Sequence, residues 1–137
     1  MPYEDEIPPY VEPDTETNEL SSAVIGAAIE VHRRLGAALD EALYAAALRI
    51  EFELRAIPFE CEVVIDVDYK GRKIGSKRLD FIVGKKLSLE LKAVEDFAPV
   101  HKAQLHTYLK ITGFKLGLLL NFNTAVLKDG IKRVVRA

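Results

Sequence analysis

The segment that decides the fold is a predicted β-hairpin, Arg78-Leu79-Asp80-Phe81-Ile82-Val83-Gly84-Lys85-Lys86-Leu87-Ser88-Leu89-Glu90-Leu91-Lys92. Apolar and polar residues alternate in both arms, which is the period of a half-buried strand. The apolar positions are expected to share one face of the hairpin: Leu79, Phe81, Val83, Leu87, Leu89 and Leu91. The hairpin therefore directs one face at a core.

The register of this hairpin follows from matching its apolar positions. Residues directly opposite each other in an antiparallel pair point to the same side. A two-residue turn would set Phe81 opposite Ser88, whereas a three-residue loop over residues 84–86 sets it opposite Leu89. Because a one-residue slip would turn one apolar set to solvent, the three-residue loop is predicted. The predicted pairs are Val83–Leu87, Phe81–Leu89 and Leu79–Leu91.

The same register brings two carboxylates and a lysine to the polar face. Asp80 lies opposite Glu90, and Lys92 follows two residues further along that face. Mg²⁺ is a hard ion that proteins hold with one or two carboxylates, water and substrate phosphate, and a lysine can orient the attacking water. The alternative is an exposed polar face on which water screens the carboxylates. The spacing alone leaves both interpretations open.

Two motifs in this half of the chain resemble known nucleases. Asp80 followed by Glu90-Leu91-Lys92 resembles the Asp…(Asp/Glu)-x-Lys signature of the restriction-endonuclease-like, or PD-(D/E)XK, nucleases. The proline that sometimes precedes the aspartate is Leu79 here. Further along, Gln104-Leu105-His106-Thr107-Tyr108 resembles the Gln-x-x-x-Tyr motif of the RecB-like branch.

A third motif lies nearer the N-terminus. Residues 35–44 resemble the segment that names the GxxExxY family, with Ala38 at the glycine position and Glu41 and Tyr44 as matches. The order and spacing of the three motifs resemble that family over residues 18–136. From its pattern alone, Glu41 is equally well a helix-start acid at the positive end of a helix dipole.

The resemblance implies a metal-dependent nuclease acting on nucleic acid, with DNA as the expected substrate. It implies that Mg²⁺ or Mn²⁺ is held by Asp80, Glu90 and Glu41, and that Lys92 orients the water nucleophile. Gln104 and Tyr108 would position the site or the phosphate. The alternative is a catalytically silent nuclease-like subunit that binds nucleic acid or serves in an assembly.

Length and composition set the remaining bounds. The 137 residues suit one domain with a real core. No apolar run reaches membrane-spanning length, and the N-terminus lacks the pattern of a secretory signal. The single cysteine, Cys61, excludes an internal disulfide framework and cysteine-rich metal sites. We therefore expect a cytoplasmic protein without a membrane partner, and leave self-association open.

The charge is unevenly distributed. Residues 1–19 hold seven of the 21 acids and no Lys or Arg, leaving 14 acidic against 19 basic residues in the rest. Residues 1–17 are predicted to be a mobile tail, and residues 18–137 the nuclease-like domain. An alternative has this tail lying over the basic residues in competition with nucleic acid.

A cluster of basic residues beside the hairpin is the predicted nucleic-acid contact. Lys and Arg contacts to phosphate dominate nucleic-acid affinity. A lysine-rich strand edge that only improves solubility is the alternative. The cluster consists of Lys70, Arg72, Lys73, Lys77 and Arg78.

The predicted architecture is α/β, a mixed central sheet flanked by helices in the order α-α-β-β-β-α-β-β. The first helix is capped by Thr17 or Asn18 and ends at Leu35. The second, from Asp40 to Arg55, has two apolar sides and is predicted to be sandwiched. Its main core face is expected to be Leu43, Ala47, Ile50 and Leu54. The other predicted elements are strands 59–69 and 114–121, a helix from Pro99 to Thr112, and a last segment, 131–136.

Overall fold

Three helices flank a mixed β-sheet in the computed structural model of the protein, which describes residues 4–5 and 12–136. The helices are α1 (Thr15–Leu35), α2 (Glu41–Leu54) and α3 (Pro99–Thr112). The strands are β1 (Glu4–Asp5), β2 (Phe59–Tyr69), β3 (Arg72–Val83), β4 (Leu87–Lys92), β5 (Leu116–Asn121) and β6 (Ile131–Val135), with a 3₁₀ turn at Leu127–Gly130. The predicted α/β architecture is confirmed, and the two-residue strand β1 is an addition to it.

The sheet has the order β1-β6-β5-β4-β3-β2. β4 and β5 are parallel, as expected of strands joined through the helix α3, whereas β2, β3 and β4 are linked by antiparallel pairs. All six residues of β5 are buried, which suits a central strand covered on both faces. The main core lies under α1 and α2, and a smaller one packs Leu105 and Leu109 of α3 on Leu119 and Val134.

The hairpin of β3 and β4 has the predicted register as far as Phe81–Leu89, but the predicted pair Leu79–Leu91 is not among the strand pairs of the described residues. Phe81 pairs with Leu89 and Val83 with Leu87, across a loop of residues 84–86. Gly84 and Lys85 both adopt left-handed backbone angles, with φ of 58°. The apolar faces thus selected the odd-numbered loop, as burial requires.

The prediction that Leu79 shares a face with Phe81 is wrong. Phe81 belongs to the main core, whereas Leu79 packs with Ile82 and Tyr108 on the α3 side of the sheet. The neighbouring strand does the same, because Cys61 contacts the main core and Val63 packs with Leu79. In both strands, therefore, the apolar side chains switch from one face of the sheet to the other between these positions, next to Asp80.

The buried face of α2 also differs from the prediction. Tyr44, Leu48 and Phe52 are fully buried, whereas Leu43 and Ile50 are more than half exposed. The two aromatic rings explain this choice. Tyr44 stacks on Phe122 with ring centroids 4.4 Å apart, and Phe52 meets Phe81 edge-on at 5.6 Å. The helix has two apolar sides, and the one carrying the rings offers the larger area for burial.

The first helix begins earlier than predicted. Its cap is Asp14, whose carboxylate accepts a hydrogen bond from the Thr17 N–H at 2.7 Å. Asp14 and Glu16 also bind Lys86 of the hairpin loop at 3.2 and 3.0 Å. Residues 12–17 of the predicted tail are thus folded against the domain, while residues 1–3 and 6–11 lie outside the described residues.

Candidate active site

The regular pairing of β3 and β4 stops at Phe81–Leu89, and the next two opposing residues bond through their carboxylates instead. The Asp80 N–H donates to Oε1 of Glu90 at 3.2 Å. The Leu91 N–H donates to Oδ2 of Asp80 at 2.8 Å. At this point carboxylate oxygens, rather than backbone carbonyls, accept hydrogen bonds from the backbone N–H groups. The regular pairing of β3 with β4 ends here, and we call this point the fork. The predicted adjacency of Asp80 and Glu90 is confirmed.

The two carboxyl groups are electrostatically coupled. The pKa of Glu90 is raised from 4.5 to about 9, mainly by burial and then by the charge on Asp80 and a hydrogen bond between the two carboxyl groups. Glu90 is only 8 % exposed, so water screens this repulsion poorly. At neutral pH the pair holds one proton between its oxygens. Lys92 opposes the shift, which places its ammonium near Glu90.

Lys92 sits at the end of β4, where its backbone is held by the neighbouring strand. It pairs with Asn121 of β5, and its carbonyl accepts a hydrogen bond from the Phe122 N–H at 3.0 Å. The buried Asn121 amide in turn bonds both backbone groups of Val94, at 3.1 and 2.8 Å. Sequence reasoning missed Asn121, although a polar residue at the end of an apolar central strand signals such a role.

The helix α3 brings two further predicted residues to the carboxylates. Tyr108 is nearly buried, and that burial raises the pKa of its hydroxyl, with the charges on Glu90 and Asp80 as the next causes. A hydrogen bond from Gln104 to the same hydroxyl acts in the opposite direction. Gln104 and Tyr108, one turn apart on α3, therefore form a pair on the wall of the fork.

Glu41 was predicted to hold the metal together with Asp80 and Glu90, but the structure does not bring it to that pair. It is the first residue of α2, and its Oε1 accepts a hydrogen bond from the Ala93 N–H at 3.1 Å. Glu41 and Asp80 line one cleft of about 150 Å³. Within residues 4–5 and 12–136, however, no three His, Cys, Asp or Glu side chains are grouped closely enough to hold a metal. The three-carboxylate set is thus incomplete, because Glu41 is engaged with the chain just after Lys92.

Two more charged residues line this cleft and were not predicted. Arg49 lies on its α2 wall, and no ion pair joins it to any residue between 12 and 136. Arg49 comes two spacings of four residues after Glu41 on the same helix. This helical spacing could have identified Arg49 from the sequence. Glu62 of β2 has a left-handed backbone, with φ of 53°, opposite Asp80. Such strain in a strand is concentrated at functional sites.

The predicted basic cluster does not form one patch. All five residues are exposed on the half of the β2–β3 hairpin that extends from the fork. Lys73 pairs with Asp66 at 3.3 Å, and the Lys70 ammonium lies 5.5 Å from the Tyr69 ring centre. Lys77 and Arg78 are successive residues of a strand and so project from opposite faces.

Comparison with known proteins agrees with this architecture. The family model of the PD-(D/E)XK nuclease superfamily matches residues 18–134, which include every element from α1 to β6 apart from the first helical turn and the last strand residue. The helices and mixed sheet are consistent with the restriction-endonuclease-like fold. No curated protein and no solved structure gave a match. No helix of the described part of the chain is long and apolar enough to cross a membrane. The chain belongs to the PD-(D/E)XK nuclease superfamily.

Proposed function

We propose that this protein is a metal-dependent nuclease that hydrolyses phosphodiester bonds in DNA. The observation that carries the proposal is the buried pair of Asp80 and Glu90 at the fork of β3 and β4, with Lys92 beside it. Superfamily membership supports a nucleic-acid substrate.

The donor set suits a hard divalent cation such as Mg²⁺ or Mn²⁺. Two carboxyl groups meet in a buried place and share a proton, because both cannot be ionised there. A cation would be held by Asp80 and Glu90 in place of that proton, with water and phosphate completing its coordination. Bound there, it would lower the pKa of a water ligand and neutralise charge on the phosphate.

The protein's own residues account for the remaining requirements of hydrolysis. Lys92 orients the attacking water and stabilises negative charge that develops on the phosphorane. The hydrogen-bonded Gln104 and Tyr108 position the phosphate or the carboxylates from the α3 side. Glu41 fixes the backbone after Lys92 through Ala93, so we assign it a positioning role in the state described here.

We further propose that the chain is a member of the GxxExxY family, with a RecB-like Gln-x-x-x-Tyr motif on α3. The behaviour of Tyr44 supports this assignment. Its hydroxyl donates to the Gly36 carbonyl at 2.6 Å and accepts from the Leu39 N–H at 3.2 Å. The tyrosine thereby ties down the loop before α2, and that loop sets where Glu41 enters the cleft.

Substrate contacts are proposed for two regions. The exposed basic residues of the β2–β3 hairpin, Lys70, Arg72, Lys73, Lys77 and Arg78, would contact phosphates away from the site. Arg49, without an ion-pair partner within residues 12–136, would contact a phosphate inside the cleft.

The proposal is tested with end-labelled single- and double-stranded DNA and RNA, incubated with Mg²⁺, with Mn²⁺ or with EDTA. We expect metal-dependent cleavage of DNA that is lost in Asp80→Asn and in Lys92→Ala. Lys128→Ala, at an exposed lysine of the 3₁₀ turn, is the matched control and should cleave at the wild-type rate. Because lysine is not a ligand here, Lys92→Ala should keep its Mn²⁺ affinity. Binding without cleavage under every condition would favour the catalytically silent subunit, and equal cleavage by Lys92→Ala would remove its assigned role.

A further inference from the structure

The chain that leaves β4 is held by side chains from two distant elements. Glu41 of α2 accepts a hydrogen bond from the Ala93 N–H, across 52 residues of sequence. Asn121 of β5 binds the next residue, Val94, across 27 residues. Backbone groups of a surface connection can be satisfied by water. Side chains from two other elements do more than satisfy them, because they fix the place of the two residues that follow Lys92.

The Asn121 amide continues the pairing of β4 with β5 beyond the end of both strands. Lys92 and Asn121 are the last backbone pair of these parallel strands, and the Lys92 carbonyl accepts a hydrogen bond from the Phe122 N–H at 3.0 Å. The Asn121 side chain then binds both backbone groups of Val94: its Oδ1 accepts the N–H at 3.1 Å and its Nδ2 donates to the carbonyl at 2.8 Å. A carboxamide offers the same donor and acceptor as a peptide group. The backbone is therefore held on both sides of Lys92, by strand pairing before it and by the amide after it.

Asn121 is itself held in one orientation. Its side chain is only 3 % exposed, and its Oδ1 also accepts the Asn123 N–H at 3.1 Å. Its backbone carbonyl accepts a hydrogen bond from the Thr124 hydroxyl at 3.3 Å. The Thr124 carbonyl in turn lies 2.8 Å from Nε2 of His32 on α1. A buried amide that is bonded in this way is a rigid support for the backbone that it binds.

The place of the Lys92 ammonium depends on where the Lys92 backbone is held. Lysine carries a compact charge on a long, flexible side chain, and this charge lies near Glu90. We propose that Asn121 is a positioning residue of the site, whose amide holds the backbone after Lys92 and thereby keeps the Lys92 ammonium beside the carboxyl pair. The inference rests on the proposed function, in which Lys92 orients the attacking water.

A positioning role and a purely structural role predict different properties for Asn121→Ala. The loss of its hydrogen bonds lowers the melting temperature in either case. Only the positioning role predicts slower cleavage by the fully folded variant. Asn121 does not bind Arg49 or the basic hairpin, so the affinity for DNA should be unchanged. Asp80 and Glu90 precede the connection, so Mn²⁺ should still raise the melting temperature as it does in the wild type.

Single-turnover cleavage of labelled DNA, well below the melting temperature of each variant, tests the effect on the reaction. Asn121→Ala should cleave about 10- to 100-fold more slowly at saturating protein. The protein concentration that gives half of the maximal rate should stay at the wild-type value. Cleavage by Asn121→Ala at the wild-type rate, or a loss explained entirely by weaker DNA binding, would overturn the proposal.

Asn18→Ala is the matched control for this measurement. The Asn18 side chain also makes three hydrogen bonds, with Glu12, Pro13 and Arg133, at the start of α1. Its removal should lower the melting temperature and leave the cleavage rate unchanged. An equal fall of the rate in Asn18→Ala would show that destabilisation alone slows the reaction, and would also overturn the proposal.

Amide hydrogen exchange of the metal-free protein tests the support of Lys92 without any activity. The Ala93 N–H is bonded to Glu41 and the Phe122 N–H to the Lys92 carbonyl, and neither touches the Asn121 side chain. Both amides should exchange faster in Asn121→Ala, relative to the middle of β5, and at the wild-type rate in Asn18→Ala. Unchanged exchange at both in Asn121→Ala would overturn the proposal. A wild type that cleaves no DNA would overturn the proposed function, while exchange would still decide whether Asn121 holds the chain at Lys92.

Discussion

At the scale of single residues, Glu90 links the site to the stability of the metal-free protein. Burial and the neighbouring Asp80 hold the pKa of Glu90 at about 9 in the folded chain, against an ordinary value of 4.5. Between these two values the folded protein keeps a proton that the unfolded chain has released. Unfolding is therefore increasingly favoured as the pH rises through this window.

We predict that metal-free wild type loses stability between pH 5 and pH 9 and that Glu90→Gln loses far less. The glutamine can still accept the Asp80 N–H hydrogen bond but has no proton to release. Urea unfolding in EDTA at several pH values measures the difference. If the free energy of unfolding changed with pH by the same amount in both proteins, the pKa of Glu90 would not be raised in the folded chain.

A second residue-scale prediction concerns the cation. In Asp80→Asn one of the two coupled charges is removed, so the metal-free variant should be as stable as the wild type or more stable. Mn²⁺ should stabilise the wild type by about 2.7 kcal/mol at a hundredfold excess over its dissociation constant. The variant should lose most of that gain, because an amide is a weaker ligand than a carboxylate. Thermal melts of both proteins with and without Mn²⁺ give the four values, and an identical Mn²⁺ shift would place the ion away from Asp80.

The third prediction concerns Ser88, which lies two residues before Glu90 in β4. Its hydroxyl is fully buried and finds no hydrogen-bond partner among the described residues. An unpaired buried polar group costs about 1–3 kcal/mol. Ser88→Ala removes only the oxygen, and we expect the free energy of unfolding to rise by about 1 kcal/mol. A loss of stability in urea unfolding would instead reveal a partner for the hydroxyl.

At the scale of secondary-structure elements, Asp14 ties the start of α1 to the β3–β4 loop. Hydrogen bonds from Thr17 and then Lys86 hold the pKa of Asp14 down at about 2, against an ordinary 3.8. A carboxylate with a lowered pKa stabilises the fold above its unfolded pKa. That stabilisation is lost as the pH falls from about 4 toward 2.

We therefore predict that Asp14→Ala melts at a lower temperature than the wild type at pH 7 and that the gap narrows at pH 2–3. Asp14→Asn is the control, since asparagine can still accept the Thr17 N–H but cannot pair with Lys86 as an ion. Its melting temperature should lie between the other two at pH 7. Equal melting temperatures of Asp14→Ala and wild type at pH 7 would mean that the cap contributes nothing to the stability of the fold.

At the scale of the whole molecule, helices cover the sheet on both faces, but half of the β2–β3 hairpin extends beyond them with its basic residues exposed. When these lysines and arginines neutralise phosphates of a bound nucleic acid, counterions condensed on the nucleic acid are released. Lys77→Ala/Arg78→Ala should then weaken DNA binding at all sequences and reduce the slope of log affinity against log salt by about two units. Fluorescence anisotropy at several salt concentrations measures it. Lys110→Ala/Lys128→Ala is the matched control, and an equal loss there would argue for general charge attraction.

The sequence could predict the features of the structure that depend on residues close together in the chain. Pro99 and Gly113 bound α3 as expected, because proline suits a first helical turn and Gly113 takes the left-handed φ of 80° that ends the helix. The loop of residues 84–86 followed from apolar alternation alone. The adjacency of Asp80 and Glu90 came with it, since register carries every residue of a strand at once.

The tertiary structure decided what depends on distant residues. Which apolar side of α2 is buried was settled by rings on other elements, such as Phe122 stacking on Tyr44. Leu79 changed sides next to the point where the carboxylates of the fork replace backbone hydrogen-bond acceptors. Glu41 turned to Ala93 rather than to the carboxylate pair. In each case the local sequence allows two arrangements equally well. They are distinguished only by the apolar area, the hydrogen bonds and the charges that remote parts of the chain provide.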